Sequence, residues 1–152
     1  MTKPRMEIYR AGPGDASAIA ALTDAAYAKW LPILGRKPKP MTADYALAVR
    51  AHMIDLLHVD GILAALIELI PQPDCILIEN LAVSPDFQGQ GLGRYLMAHV
   101  ERMAAALGHR RIELYTNKLF AANLRFYQAL GYGIDREEPF KGGIIVYMSK
   151  QV

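Results

Sequence analysis

Apolar residues recur along this chain with two different spacings, and the order in which the two spacings follow one another predicts the order of helices and strands. Recurrence every three to four residues predicts a helix, whereas alternation or a short apolar run predicts a strand. The first half of the chain predicts four strands, at 6–10, 56–59, 62–70 and 75–83. It also predicts two helices. The first follows the N-cap Asp15 and has Ile19, Leu22, Ala26 and Trp30 on one face, and the second is capped by Thr42 and has Tyr45, Val49, His52 and Met53 on one face. Asp60-Gly61 predicts a hairpin, and the prolines of 31–40 predict a loop.

The second half predicts a helix over 93–107 that ends at Gly108, a strand at 109–116, a helix over 121–130 closed by Gly131, and strands at 132–136 and 143–150 joined by a loop at 139–142. A strand, a crossover helix and a strand in this length imply that strands 75–83 and 111–116 run parallel. Their carboxyl ends then open beside the intervening loop, where ligands of open α/β sheets usually bind.

That loop is a glycine-rich stretch, residues 88–93, in front of a helix. Its glycines at 89, 91 and 93 permit positive φ and a close approach of the backbone to a bulky anion. The free N–H groups and the dipole of a helix N-terminus suit a phosphate, and Arg94 in the first turn fits a bound anion. The stretch is neither a P-loop nor a dinucleotide fingerprint, whose third glycine would stand at Arg94. A tight turn without a ligand is the alternative.

The spacing Gln88-x-x-Gly91-x-Gly93 resembles the pyrophosphate-binding motif of the GNAT superfamily of acetyl-CoA-dependent N-acetyltransferases, Gln/Arg-x-x-Gly-x-Gly/Ala. Asn80-Leu-Ala-Val83 resembles that family's fourth strand, and Asn123-x-x-x-Tyr127 with Gly131-Tyr132 resembles its later motif. The resemblance implies one domain over residues 1–152 with an α/β (α+β) fold. That fold is a mixed, mostly antiparallel sheet of six to seven strands with a central parallel pair, flanked by about four helices.

The resemblance also implies where acetyl-CoA binds. In the family a bulge separates the two parallel strands, and the pantetheine arm bonds main-chain groups that correspond to those around Leu81 and Val83, with an oxyanion-binding N–H near Leu81. The implied contacts are Leu81, Ala82, Val83, Gln88, Gly89, Gln90, Gly91, Leu92, Gly93, Arg94, Asn117, Asn123 and Tyr127. For Asn117, capping its own loop is an equal alternative.

Two residues are candidates for proton transfer. Tyr127 lies four residues after Asn123 on one helix face, and a phenol with a pKa of about 10 can protonate a departing thiolate. The resemblance places the family's frequent acid at this tyrosine; the alternative is simple helix core. Glu79 interrupts an apolar strand, where a carboxylate requires water, a partner or a ligand. It is either a base, directly or through water, or the partner of a nearby arginine.

By resemblance, the segment between the first two helices overhangs the acceptor cleft. Tyr27, Trp30, Arg36 and Met41 become candidate acceptor contacts together with Glu79. Alternatively, Trp30 and Met41 pack in the core and the nearby cations are solvated, which is the expectation for Lys37 and Lys39. An Arg36 that lines the cleft would favour an acceptor with a carboxylate or a phosphate.

Composition excludes several other classes. The chain is 53% hydrophobic and 21% charged with a formal charge of +2, so neither a basic stripe nor nucleic-acid binding is expected. The single cysteine, Cys75, is expected to be a buried, inert thiol, and the four histidines show no metal-ligand spacing. The first residues lack the apolar core of a signal peptide, and the longest apolar run, 62–70, is too short to span a membrane. A cytoplasmic protein is expected.

The predicted function is direct transfer of an acetyl group from acetyl-CoA to a primary amine in a ternary complex, because no residue is well placed as a covalent nucleophile. The acceptor is a small amine or a peptide. The alternative is a noncatalytic acyl-CoA-binding sensor or interaction module, whose mark would be a filled acceptor cleft. Homodimers are common in the family, and the sequence identifies no interface.

Overall fold

The computed structural model describes residues 3–152, which form one seven-stranded sheet covered by helices on both faces. The strands are β1 (Met6–Arg10), β2 (Met53–Val59), β3 (Ile62–Pro71), β4 (Ile76–Val83), β5 (Arg111–Asn117), β6 (Gly133–Phe140) and β7 (Gly143–Gln151). The helices are α1 (Ala16–Tyr27), α2 (Leu31–Leu34), α3 (Tyr45–Ala51), α4 (Leu92–Ala106) and α5 (Ala121–Ala129). No helix within 3–152 is both long enough and apolar enough to cross a bilayer.

The sheet has the order β1-β2-β3-β4-β5-β7-β6, and only β4 and β5 are parallel. Successive residues of a strand point to opposite faces, so the apolar runs of β2 and β3 feed two cores. Leu56 and Leu66 face α1 and α3, whereas Leu57 and Ile67 face α4 and α5. The predicted fold class, including the central parallel pair, is confirmed.

A β-bulge at Glu79 separates β4 from β5. Asn80 pairs with Glu68 of β3 and Ile78 pairs with Leu69, so Glu79 is an extra residue in β4. The parallel ladder covers only 76–78 of β4 against 112–114 of β5. Beyond it β5 pairs only with β7, on its other edge. The remaining backbone of β4 therefore faces an opening rather than a strand.

The segment between α1 and α3 corrects two sequence predictions. Residues 31–40 were expected to be loop, but α2 forms because Pro32 lies in its first turn, where its missing N–H is harmless. The cap of α3 is Asp44, whose carboxylate accepts from the Leu47 N–H at 3.2 Å, and not Thr42. The helix also ends at Ala51, so the predicted face is too long and β2 begins three residues earlier than predicted.

Two hairpins have two-residue turns with positive φ at both positions. Asp60 and Gly61 have φ of 49° and 81° and join β2 to β3, as predicted. Lys141 and Gly142 have φ of 48° and 77°, so the predicted loop at 139–142 is wrong and β6 continues through Pro139 to Phe140. The proline is tolerated because β6 is an edge strand.

Candidate active site

Two clefts meet beside the end of β4, and Tyr127 lines both of them. We call the first, of about 510 Å³, the strand cleft; Glu79 and Tyr115 lie in its wall. The second, of about 450 Å³, is the loop groove, lined by Gln88 and Gly91 of the glycine-rich stretch. Four residues line both clefts and mark their junction: Tyr27, Leu81, Asn123 and Tyr127.

The loop groove has the geometry of an anion site. Gly89 and Gly91 both have φ of +79°, a conformation that side chains disfavour, and a Cβ on either would meet nothing within 4 Å. The first intrahelical bond of α4 runs from the Tyr95 N–H to the Gly91 carbonyl at 3.0 Å. The N–H groups of the three preceding residues therefore have no helix partner and lie at the positive end of a 15-residue helix dipole. This backbone fits a pyrophosphate.

The loop groove gathers most of the residues predicted to contact acetyl-CoA. It is lined by Leu81, Ala82, Val83, Gln88, Gly89, Gly91, Leu92, Gly93, Arg94, Asn123 and Tyr127. Gln90 is exposed and lies outside that lining. Asn117 lines the strand cleft instead, and its Oδ1 accepts from the Leu119 N–H at 2.9 Å, so it caps its own loop.

Asn80, which directly follows the bulge, connects the sheet to α1 and α3. Its side-chain oxygen accepts from the Tyr27 hydroxyl at 2.9 Å. Its amide nitrogen donates to Thr23 Oγ1 and to the Tyr45 hydroxyl, both at 3.3 Å. Tyr45 in turn donates to the Pro40 carbonyl at 2.7 Å. This buried network fixes Tyr27 at the junction of the two clefts and holds the start of α3 against the segment that overhangs the strand cleft.

Glu79 belongs to a cluster of three polar side chains in the strand cleft. Its Oε1 accepts from the Tyr115 hydroxyl at 2.5 Å and lies 2.9 Å from Lys39 Nζ. Lys39 also donates to the Tyr115 oxygen at 3.1 Å. The hydrogen bond to Glu79 raises the pKa of Lys39; burial, followed by the hydrogen bond to Glu79, raises the pKa of Tyr115. Lys39 is exposed, as expected, but it also pairs with Glu79, so the partner of Glu79 is this lysine rather than an arginine.

Tyr127 is 8% exposed and packs edge-to-face against Phe126 and Tyr132, with ring centroids 5.2 and 6.1 Å away. Burial raises the pKa of its phenol above the ordinary value. The phenol therefore carries its proton at neutral pH. A protonated phenol at the junction of two clefts can donate a proton in a reaction between a ligand in one cleft and a ligand in the other.

The remaining acceptor candidates do not lie together. Arg36 lines the strand cleft, and its guanidinium lies 5.7 Å from the centroid of the Phe140 ring. Trp30 is 8% exposed and stacks on Phe120 at 4.4 Å, where it borders the loop groove. Met41 is half-buried and outside the lining of both clefts. Packing against Phe120 thus explains the burial of Trp30. Arg36 and Tyr27 remain candidate acceptor contacts, because both line the strand cleft.

Sequence reasoning missed Lys39, Tyr115 and the network role of Asn80. A buried amide in an apolar strand is itself a signal, because it requires several hydrogen-bond partners. Tyr115 and Lys39 carry no comparable local signal, since they reach Glu79 over 36 and 40 residues of chain. Within residues 3–152, no cluster of three histidine, cysteine or acidic side chains is arranged to hold a metal.

Comparison with known proteins gives one family over most of the chain. A sequence model of the acetyltransferase (GNAT) family matches residues 19–132. The curated protein N-alpha-acetyltransferase 80 of Mus musculus is 38% identical over 79 residues, which are 52% of this chain. The match covers 23% of that protein, so the chain spans about a quarter of the length of this relative.

Solved structures show the same fold. The PaiA N-acetyltransferase of Thermoplasma acidophilum, in complex with coenzyme A, superposes with a TM-score of 0.80 at 16% identity, covering 97% of this chain and 99% of that one. A GNAT family acetyltransferase of Elizabethkingia anophelis with acetyl-CoA bound gives 0.72 at 17% identity, covering 97% and 98%. At such identities the likeness establishes the fold.

The Asn80 network predicts a specific loss of stability. Replacing Asn80 with leucine should lower the free energy of unfolding by about 1–3 kcal/mol, because buried hydroxyl groups lose their partners. Tyr27→Phe should lower it less, since Asn80 keeps its other two hydrogen bonds. Urea denaturation measures both. An Asn80→Leu variant as stable as the wild type would show that the network does not hold α1 and α3 on the sheet.

Proposed function

The chain belongs to the acetyltransferase (GNAT) family, and from that membership we propose that it transfers an acetyl group from acetyl-CoA to a primary amine, directly within a ternary complex. The observation that carries this proposal is the junction of the strand cleft and the loop groove at Tyr127. Two substrates that enter from opposite sides would meet there. The open strand cleft also favours an enzyme over a noncatalytic module, whose acceptor cleft would be filled.

Direct transfer is supported by the state of the only cysteine. Cys75 is 4% exposed and directly precedes β4, at the opposite end of the strand from Val83 and the loop groove. Burial raises the pKa of the Cys75 thiol to about 11, so very little thiolate is present at neutral pH. A buried thiol at that end of the strand cannot accept the acetyl group as a covalent intermediate. Direct attack of the amine on the thioester needs no such intermediate and is the route we propose.

The residues of the loop groove would hold acetyl-CoA, which supplies an acetyl group activated as a thioester. The N–H groups of Leu92, Gly93 and Arg94 would bind its pyrophosphate. The backbone of β4 after the bulge lacks a strand partner on the β5 side, so its polar groups are open to a ligand. We place the N–H that stabilises negative charge on the acyl oxygen near Leu81.

Tyr127 would donate its proton to the departing sulfur, as its buried, protonated phenol and its place at the junction support. Glu79 would take the proton of the acceptor's ammonium, directly or through one water, because it is the carboxylate in the strand cleft wall beside the bulge. Lys39 and Tyr115 then act as positioning residues that hold the Glu79 carboxylate toward the cleft.

The acceptor follows less directly from the comparisons. One relative is named an N-alpha-acetyltransferase, which supports a peptide amino terminus as one proposed acceptor class. The open strand cleft supports a small amine as the other. The described residues share one sheet, which supports a single acetyltransferase unit over the whole chain. A homodimer and a cytoplasmic location stay predictions.

Replacing Tyr127 with phenylalanine should lower the turnover number by about 10²-fold or more while the Kd for acetyl-CoA stays unchanged, because only the proton donor is lost. The matched control is Tyr132→Phe. Tyr132 is equally buried, its hydroxyl lacks a hydrogen-bond partner among the described residues, and it lies outside the lining of both clefts. Steady-state kinetics and calorimetric titration separate the two effects, and full turnover in Tyr127→Phe would remove this residue from the mechanism.

Glu79 and Lys39 should respond differently to substitution. Glu79→Gln should lower kcat/KM by about 10²- to 10⁴-fold, and raising the pH should restore much of the rate because the free amine no longer needs a base. Lys39→Met should lower it by less than about tenfold, because the Lys39 side chain is largely exposed and Tyr115 still holds the Glu79 carboxylate. If Glu79 is only the partner of Lys39, both variants will show the same small loss and the same pH profile.

A further inference from the structure

The strand cleft is lined by three basic and three acidic side chains, and their pairing is uneven. Five of them lie in ion pairs: Lys39 with Glu79 at 2.9 Å, Glu113 and Asp135 with Arg111 at 2.9 and 3.2 Å, and Arg136 with Glu138 at 3.0 Å. The sixth is Arg36, which forms no ion pair within residues 3–152. Arg36 is therefore the one charged side chain of the cleft lining that forms no ion pair among the described residues, while Glu113 and Asp135 share a single arginine.

Arg36 is held in place by the backbone and by an aromatic ring. It follows Gly35, whose φ of 76° ends α2 and turns the chain. Its guanidinium packs over Phe140 at the end of β6, which lines the same cleft, and Lys141 lies over the same ring at 5.3 Å. Contact with the face of a ring leaves the in-plane N–H donors of a guanidinium free. Those donors form a rigid fork that matches a carboxylate.

We propose that the acceptor is a primary amine that also carries a carboxylate, with the carboxylate bound by Arg36 and the amine directed toward Glu79. This inference rests on the proposed function and names the substrate class of the same site. The negative charge of Glu79 is already balanced by Lys39, so a purely cationic acceptor would leave Arg36 without a partner. One guanidinium balances one carboxylate. A free amino acid and an acidic residue near a peptide amino terminus both supply this chemistry.

The test measures the binding of matched acceptors to protein saturated with coenzyme A, which cannot transfer an acetyl group. One pair is 4-aminobutyrate and 4-aminobutanamide. The other pair is a short peptide that begins with aspartate and the same peptide beginning with asparagine. Within each pair only the negative charge differs. We expect at least one carboxylate to bind about tenfold or more tightly than its amide, as a charge-assisted bidentate contact should provide.

Arg36→Gln should abolish this preference, and the matched control Arg50→Gln should keep it. Arg50 is exposed in the last turn of α3, outside the lining of both clefts, so the control removes the same charge from elsewhere. A preference in the small pair identifies a free amino acid, and a preference in the peptide pair identifies an acidic peptide. Either result supports the proposal.

Three results would overturn the proposal. They are equal affinity within both pairs, a preference that survives Arg36→Gln, and no binding of either carboxylate at millimolar concentration. Failure of the proposed function is distinguishable, because coenzyme A would then not raise the unfolding temperature of the wild-type protein. Intact stabilisation by coenzyme A without a carboxylate preference would contradict only the acceptor class.

Discussion

The site depends on one interruption of the β-sheet. A central parallel pair normally satisfies its backbone groups along its whole length, because buried N–H and C=O groups without partners are destabilising. Here the extra residue Glu79 ends the β4–β5 ladder after three residues, and the two strands separate around the junction of the strand cleft and the loop groove. The same bulge leaves the polar groups of β4 open toward the place that a ligand can occupy.

Side chains from distant parts of the chain complete the site that the bulge opens. Asn80 draws α1 and α3 onto one face of the sheet, while Glu79 binds Lys39 from the segment before α3 and Tyr115 from β5. The strand cleft, with Glu79, Lys39 and Tyr115, thus meets the loop groove, with the glycine-rich helix N-terminus, at Tyr127. The arrangement suits a reaction in which an amine and an activated acyl group approach from opposite sides.

Local signals in the sequence predicted the order of the elements and the glycine-rich stretch. Asp60-Gly61 has the residue types of a two-residue turn, and Gly91 has the positive φ that its motif requires. The resemblance to the family implied a bulge between the parallel strands, but no local signal placed it at Glu79 or predicted the pairing of Lys39, because both depend on which strands and segments meet in three dimensions. The cap of α3 shows another limit of local signals. Thr42 and Asp44 both have side chains that can cap a helix, and the extended backbone at Asp44 makes Asp44 the cap.

Thermal unfolding with and without acetyl-CoA tests the central claim most directly, in the wild type and in Gly91→Ala and Gly108→Ala. Both glycines have φ of +79° and space for a Cβ, so the two variants carry the same backbone strain, but only Gly91 lies in the loop groove. At a concentration about 100-fold above Kd the ligand should add roughly 2.7 kcal/mol to stability. The account predicts this shift in the wild type and Gly108→Ala and its loss in Gly91→Ala. No shift in the wild type, or an equal shift in both variants, would contradict it.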